Sequence, residues 1–263
     1  MQLSQKLFQA SAWLRYWLEA VNEHSLHAPF VYQLYREVIR PQGPSLPAVE
    51  QLRRELLESG EWLQLQEMGA GSSLTTNNKR PVASIARHSL TPARFSQLLY
   101  RLLQFTQAQT VLELGTSLGL NSLYMAAAIP AGTLYTIEGC PQTAALARRH
   151  VELQQVTNIQ LLTGNIDQQL PQLLAQASPQ LDLAYLDANH TYEATLRYFG
   201  WLLPHLHPQS VVVVDDIHWS AGMQQAWQEL CRHPSVTLSL DLYEAGLLFF
   251  RPGMQAQQYV LEY

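Results

Sequence analysis

Glu113, Glu138, Asp187, Asp215 and Asp216 each stand where a short apolar run ends, and His190 follows Asp187 by three residues. A carboxylate in such a place can accept hydrogen bonds or hold a cation. An imidazole, whose ordinary pKa lies near neutrality, is suited to moving a proton. Between the first two carboxylates runs Gly115-Thr116-Ser117-Leu118-Gly119. Glycines there let the backbone turn sharply and come close to a ligand. The spacing is GxxxG, not GxGxxG, so a dinucleotide's pyrophosphate is not the natural fit. Glu138 lies 25 residues after Glu113, where a carboxylate is placed to accept both ribose hydroxyl protons of a nucleoside. A GxxxG turn alone is as often structural as functional. A strand before it, a helix after it and Glu138 beyond it favour function.

The elements that must position these residues are legible as a rhythm. The apolar runs are TVLELG (110–115), TLYTIE (133–138), IQLLTG (159–164), LDLAYLD (181–187) and SVVVVDD (210–216). Helical patterns lie between them, such as Tyr192, Leu196, Phe199 and Leu203 on one face. Strands apolar on both faces and separated by helices mean a parallel sheet, whose carboxyl-end crevice would collect the glycine loop and the carboxylates. VTLSLDLY (236–243) and GLLFFRP (246–252) follow so closely that they must form an antiparallel hairpin. The expected fold class is therefore α/β: a Rossmann-like, mostly parallel sheet ending in an antiparallel β-hairpin. It begins near Thr91, read as a helix cap with Pro92 in the first turn.

Residues 1–90 read differently, as an N-terminal helical extension and lid loop ahead of the domain at 91–263. Leu7, Leu14, Trp17, Leu18 and Val21 recur at helical spacing, as do Val31, Leu34, Tyr35 and Val38. Pro41, Pro44 and Pro47 precede a third helix that ends near Gly60. Such stripes must pack on the rest of the chain or on a second subunit in a homodimer. Residues 69–90 are small, polar and basic and read as a loop; Lys79, Arg80, Arg87 and His88 could make it a lid that excludes water, or a solvated linker.

Composition bounds the function. Charged residues are 14% and the net charge is −5, which argues against a broad nucleic-acid footprint. The six tryptophans read as core or interface and not as a stacking platform for bases. Cys140 and Cys231 have no metal-ligand spacing and are too few for a disulfide framework, so a reducing compartment is expected. With no signal peptide and no long apolar run, the chain reads as soluble and cytoplasmic, without a membrane partner.

VLELGTSLGLNSLYMA resembles motif I of the class I S-adenosylmethionine-dependent methyltransferases, and LYTIEG resembles their ribose-binding motif. The resemblance covers residues 91–252, and the terminal hairpin distinguishes that family from nicotinamide enzymes. It implies a cofactor site at Glu113, Gly115, Thr116, Ser117, Gly119 and Glu138. Asn165 and Ile166 stand where the family contacts adenine, and Asp187 faces the cofactor's charge. A looser similarity to bacterial relatives lies in His27-Ala28-Pro29-Phe30-Val31-Tyr32.

Two mechanisms fit the acceptor side. In one, Asp187, Asp215 and Asp216 hold Mg²⁺ or another divalent cation that lowers the pKa of a hydroxyl acceptor. This is similar to the catechol-type O-methyltransferases, whose motifs run Asp-x-x-Lys and Asp-Asn; here His190 replaces the lysine and Asp216 the asparagine. In the other, no metal binds and His190 is the general base. DANHTYEATLRYF also resembles the Asp-Gly-x-His-x-Tyr-Glu segment of a broader bacterial methyltransferase group. The bland alternative has His190 capping the next helix and Asp215–Asp216 satisfying loop amides. His218 and Trp219 could line the acceptor pocket or be buried aromatics; His24 and His27 read as solvated. The sequence reading is methyl transfer from S-adenosylmethionine to a small-molecule acceptor at oxygen, with Asp187 and His190 catalytic. Its rivals are a nicotinamide oxidoreductase and a non-catalytic protein that binds the cofactor.

Overall fold

The computed structural model describes residues 3–65, 79–253 and 256–263. The chain opens with α1 (Leu3–Glu19), α2 (Pro29–Leu34), α3 (Pro47–Glu58), β1 (Trp62–Gln64), β2 (Lys79–Pro81), α4 (Val82–Ser89) and α5 (Ala93–Thr106). The alternation then runs β3 (Thr110–Leu114), α6 (Leu120–Ala128), β4 (Thr133–Glu138), α7 (Pro141–Leu153), β5 (Ile159–Thr163), α8 (Ile166–Ala177), β6 (Leu181–Leu186) and α9 (Tyr192–Leu202). It closes with β7 (Leu206–Asp215), α10 (Ala221–Cys231), β8 (Leu238–Asp241), β9 (Ala245–Phe249) and β10 (Gln257–Val260). These elements fall into two compact units, one of residues 41–179 and one of residues 1–40 with 180–263.

In the unit of residues 41–179, β3, β4 and β5 pair in parallel, with Val111 beside Leu134 and Leu134 beside Ile159. Val111, Leu112, Leu114, Leu134 and Ile137 are buried, as strands covered on both faces require. Helix α5 buries Phe95, Leu98, Leu99 and Leu102, the face read from the sequence. Its cap differs from that reading. Pro92 holds the cap position, and Thr91 instead accepts Asn121 Nδ2 on its hydroxyl at 2.8 Å and Arg53 Nη1 on its carbonyl at 2.7 Å.

The expected loop is also corrected. Residues 69–78 lie outside the described residues, but Lys79–Pro81 pairs antiparallel with Trp62–Gln64 and residues 82–89 are helical. Val82, Ala83 and Ala86 are buried, and Val82 and Ala86 share a core with Leu52, Leu56 and Leu123. Val82, Ala83, Ile85 and Ala86 recur at helical spacing, but the run is short, and tertiary burial stabilises a helix of this length. Arg87 Nη2 donates to Leu57 O at 3.2 Å, and His88 Nδ1 lies 2.7 Å from Ser84 O.

In the other unit β6 and β7 are parallel, while β7 with β9 and β9 with β8 are antiparallel. The β8–β9 pair is the hairpin read from the sequence. Strand β10 was not foreseen; it adds parallel to β8, Gln257 beside Leu238. At Gly246 in β9 a Cβ would lie 2.4 Å from the Trp227 ring of α10, so only glycine lets that indole dock.

The two N-terminal stripes have opposite fates. Val31, Leu34, Tyr35 and Val38 are buried. Leu7, Trp13, Leu14, Trp17 and Leu18 are 50–68% exposed, so the stripe of α1 is left uncovered among the described residues. The helix is held by its other face instead. Ala12 is buried, Tyr16 donates its hydroxyl to Leu261 O at 2.6 Å, and Gln9 Nε2 donates to Trp219 O at 3.0 Å. Periodicity says which residues share a helix face, not which face turns inward. Among the described residues no helix is long and apolar enough to cross a membrane.

Candidate active site

The glycine loop is built on β3. The Gly115 and Thr116 amides donate to Ile137 O at 2.9 and 3.3 Å, and the Gly119 amide closes a turn onto Thr116 O at 2.9 Å. Gly115 (φ 99°) and Gly119 (φ 85°) are left-handed, which glycine alone adopts without strain. A Cβ at Gly119 would also meet Ala147 Cβ at 3.4 Å. Buried His150 on α7 anchors the loop through Nδ1, 2.8 Å from Leu118 O, and burial lowers its pKa. His150 went unnoticed in the sequence, although it falls on the same buried face as Thr143, Ala144 and Ala147.

Glu138, at the end of β4, is tied into this loop. Its Oε2 accepts the Ser117 amide at 2.8 Å and its Oε1 accepts the Cys140 amide at 2.9 Å. Burial raises its pKa, and the amides of Cys140, Ser117 and Gly139 oppose that rise. Each oxygen has spent one lone pair on a backbone N–H and retains capacity for a hydroxyl donor.

Glu113 is wholly enclosed. Its Oε2 accepts the hydroxyls of Ser122 and of Thr136, the latter at 2.6 Å, while its buried Oε1 has no partner among the described residues. Burial pushes its carboxyl up to about 7 against the two hydroxyls, and Glu138 adds to the rise. Thr116 is buried with its hydroxyl 2.6 Å from that of Thr136. Asn165 caps α8, accepting the Asp167 amide on Oδ1 at 2.9 Å, and Ile166 is buried at the first position of that helix.

The unit of residues 1–40 and 180–263 carries Asp187, His190, Asp215 and Asp216. Asp187 follows β6 and accepts the Tyr185 hydroxyl on Oδ2 at 3.0 Å. Asn189 (φ 66°) and His190 (φ 38°) are left-handed, a strained pair that turns the chain sharply before α9. Thr191, not His190, caps α9 by accepting the Ala194 amide at 3.3 Å. His190 Nε2 lies 3.5 Å from Asp187 Oδ1 and its Nδ1 lies 3.7 Å from Asp216 Oδ2. The imidazole therefore stands between two carboxylates. Asp215, last in β7, has its pKa raised well above the usual range by burial and then by Asp187 and Asp216, with His190 opposing; it also hydrogen-bonds Asp187. Burial raises Asp216 as well, again opposed by His190.

Three oxygen ligands suit Mg²⁺ by chemistry. Among the described residues no three His, Cys, Asp or Glu side chains are grouped to hold one metal ion. Burial and the neighbouring carboxylates favour the neutral form of Asp215, and His190 opposes that rise.

Of the lesser candidates, His218 Nε2 lies 2.8 Å from Asp241 Oδ2, a pairing the sequence did not suggest. Trp219 is 44% exposed and so is not a buried aromatic. His24 and His27 are exposed, as solvated histidines should be.

A family profile described as a methyltransferase domain matches residues 112–217, the stretch from the glycine loop to the Asp215–Asp216 pair. A catechol O-methyltransferase of Niastella koreensis is 32% identical over 148 residues, which is 55% of this chain and 65% of that protein. A transmembrane O-methyltransferase homolog of Rattus norvegicus is 36% identical over 83 residues, 30% of this chain and 32% of its own length. The chain thus spans just under two thirds of the first relative and about one third of the second. Among solved structures, an O-methyltransferase from Bacillus cereus in complex with SAH aligns at TM-score 0.57 and 19% identity, over 83% of this chain and 96% of that one. An SAH-bound Podospora anserina methyltransferase aligns at TM-score 0.62 and 12% identity, over 86% and 97%. These likenesses show the fold to be the Rossmann-like class I methyltransferase fold.

Proposed function

We propose that this chain, whose residues 112–217 are a methyltransferase domain, is an S-adenosylmethionine-dependent O-methyltransferase that acts on a small molecule without a metal, His190 being its base. The observation that carries the cofactor is Glu138, whose two oxygens each hold one backbone amide and can each still accept a hydroxyl. The left-handed glycines turn the chain sharply at the end of β3, and the Ser117 amide between them meets Glu138. Gly115, Thr116, Ser117, Gly119 and Glu138 would hold the ribose and methionyl parts, Asn165 and Ile166 the adenine, and Asp187 would face the positive charge. S-adenosylmethionine, when bound, supplies a methyl group already carried on a good leaving group.

The chain's own contribution is deprotonation and alignment. His190 accepts the proton of the acceptor hydroxyl as the oxygen attacks. Asp187 and Asp216, on either side of the ring, stabilise the imidazolium that results. The raised pKa of Asp215 favours its neutral form, which limits repulsion within the cluster. A hydroxyl acceptor agrees with the names of the relatives, among them a catechol O-methyltransferase.

Isothermal titration of the full chain with S-adenosylhomocysteine, NAD and Mg²⁺ tests this reading. S-adenosylhomocysteine should bind, NAD should not, and Mg²⁺ should neither bind nor change the cofactor's affinity. Binding of NAD alone would overturn the function. Stoichiometric Mg²⁺ binding that is lost in Asp215→Asn would overturn the metal-free mechanism.

A further inference from the structure

We infer that the unit of residues 1–40 and 180–263 contains a second small-molecule site, at His218 and Asp241, for a neutral ring bearing hydroxyl groups. A cavity of about 360 Å³ lies there among α1, α10, β8 and β10. Asp187, His190, Asp215 and Asp216 do not line it, so it is separate from the cluster assigned to methyl transfer. The inference does not depend on the methyltransferase reading.

The polar logic of the cavity centres on His218, whose side chain is 9% exposed. Its Nε2 lies 2.8 Å from Asp241 Oδ2, while Asp241 Oδ1 accepts the Tyr243 amide at 2.8 Å. A ring nitrogen facing a carboxylate carries the hydrogen, which leaves Nδ1 as the acceptor. Tyr243 stacks on the imidazole, with ring centroids 5.5 Å apart and planes at 22°, and fixes its orientation. Nδ1 is buried and has no hydrogen-bond partner among the described residues. A buried acceptor left unmatched is costly, so the site calls for a donor from outside the chain. A single water takes about 30 Å³, and the cavity is many times larger.

The walls narrow the class of ligand. Tyr16, Trp227 and Tyr259 line the space and offer flat apolar surface. Gln224, Gln228 and Gln258 contribute neutral amides, and Arg15 and Glu19 offset each other. A His218 ring that accepts on Nδ1 is neutral, so Asp241 keeps its negative charge, held by the ring N–H and the Tyr243 amide, and the cavity disfavours an anion. The size is near the lower end of ligand pockets, which run from about 300 to 1,000 Å³, and suits one substituted ring and not a nucleotide. Cys231 also lines the cavity, but burial pushes its thiol up to about 11, so it is no nucleophile and the site is one of binding. A phenolic ring and a sugar ring share the required chemistry.

Ligand-observed NMR and calorimetry on the full chain, with catechol and methyl β-glucoside as separate probes, test the site and distinguish the two sources. At least one probe should bind the wild type. Ala12→Phe fills the cavity from α1 and should weaken that probe at least tenfold while S-adenosylhomocysteine affinity is unchanged. His218→Phe, which keeps the ring volume but removes Nδ1, should weaken the probe similarly. Binding of neither probe overturns the inference. So does probe binding that survives Ala12→Phe and is lost in His190→Ala. Failure of the wild type to bind S-adenosylhomocysteine would count against the proposed function and leave this site standing.

Discussion

The glycine-loop carboxylates and the Asp187–Asp216 cluster solve one electrostatic problem by different means. Glu113 and Glu138 are surrounded by neutral donors, two hydroxyls for one and backbone amides for the other. Asp187, Asp215 and Asp216 have mainly one another and an imidazole. Fixed donors make a carboxylate a stationary acceptor, suited to gripping an uncharged hydroxyl ligand. Like charges sharing protons with a histidine make a group whose protonation can change during a reaction. On the proposed function the first region binds and the second exchanges protons.

The sharpest attempt to break this contrast is His190→Ala. With catechol as trial acceptor, turnover should fall by ~10²–10⁴-fold, the range for losing a general base, while calorimetry shows S-adenosylhomocysteine affinity retained. Full activity in that variant, combined with inactivation by EDTA, would make both regions binding sites and erase the distinction. Glu138→Ala should do the opposite. It should weaken S-adenosylhomocysteine by ~2–4 kcal/mol, the cost of a two-point charge-assisted contact. Glu138→Gln, which keeps one acceptor oxygen, should recover part of that loss.

Glu113 sharpens the contrast through pH. Its folded value of about 7 lies above the ordinary 4.5, so the folded chain binds this proton more tightly than the unfolded chain. Its contribution to stability is thus present below pH 4.5 and is lost as pH rises to about 7, by about 3 kcal/mol in all. Urea unfolding at pH 5 and pH 8 should show that difference in the wild type beyond whatever Glu113→Gln shows. Identical slopes would mean that Glu113 ionises as it does in water. The smallest effect is expected at Asn165, whose Oδ1 caps α8. Asn165→Ala should lower unfolding free energy by ~1 kcal/mol, and Asn165→Asp should restore it. A cost much above that would assign the residue more than a capping role.

Much of this was legible before the structure. The strands announce themselves as short apolar runs, and the hairpin follows from the two residues left between two of those runs. The carboxylates at strand ends were found because position along a strand is visible in sequence. What escaped depends mostly on contacts distant in sequence. The helix at Val82–Ser89 carries Val82, Ala83, Ile85 and Ala86 at helical spacing, but over only eight residues, and the polar stretch before it masked that signal. The outward turn of Trp13, Trp17 and Leu18 on α1 was likewise hidden, since a stripe does not say what covers it. The pairing of His218 with Asp241 arises where the loop after β7 meets the end of β8, 23 residues apart in sequence. Even Glu138 was read as a ribose acceptor without its second task, which is to hold the Ser117 amide and with it the loop.

Gly246 and Trp227 make a constraint that would be read across lineages. A Cβ at residue 246 would stand 2.4 Å from the indole, so neither position can drift alone. A homologue that gains a side chain at the site equivalent to 246 should carry a smaller residue at the site equivalent to 227. That exchange would remodel one wall of the cavity beside His218. The ligand preference of the cavity should therefore change in jumps between branches of descent, each jump marked by a paired substitution at these two sites.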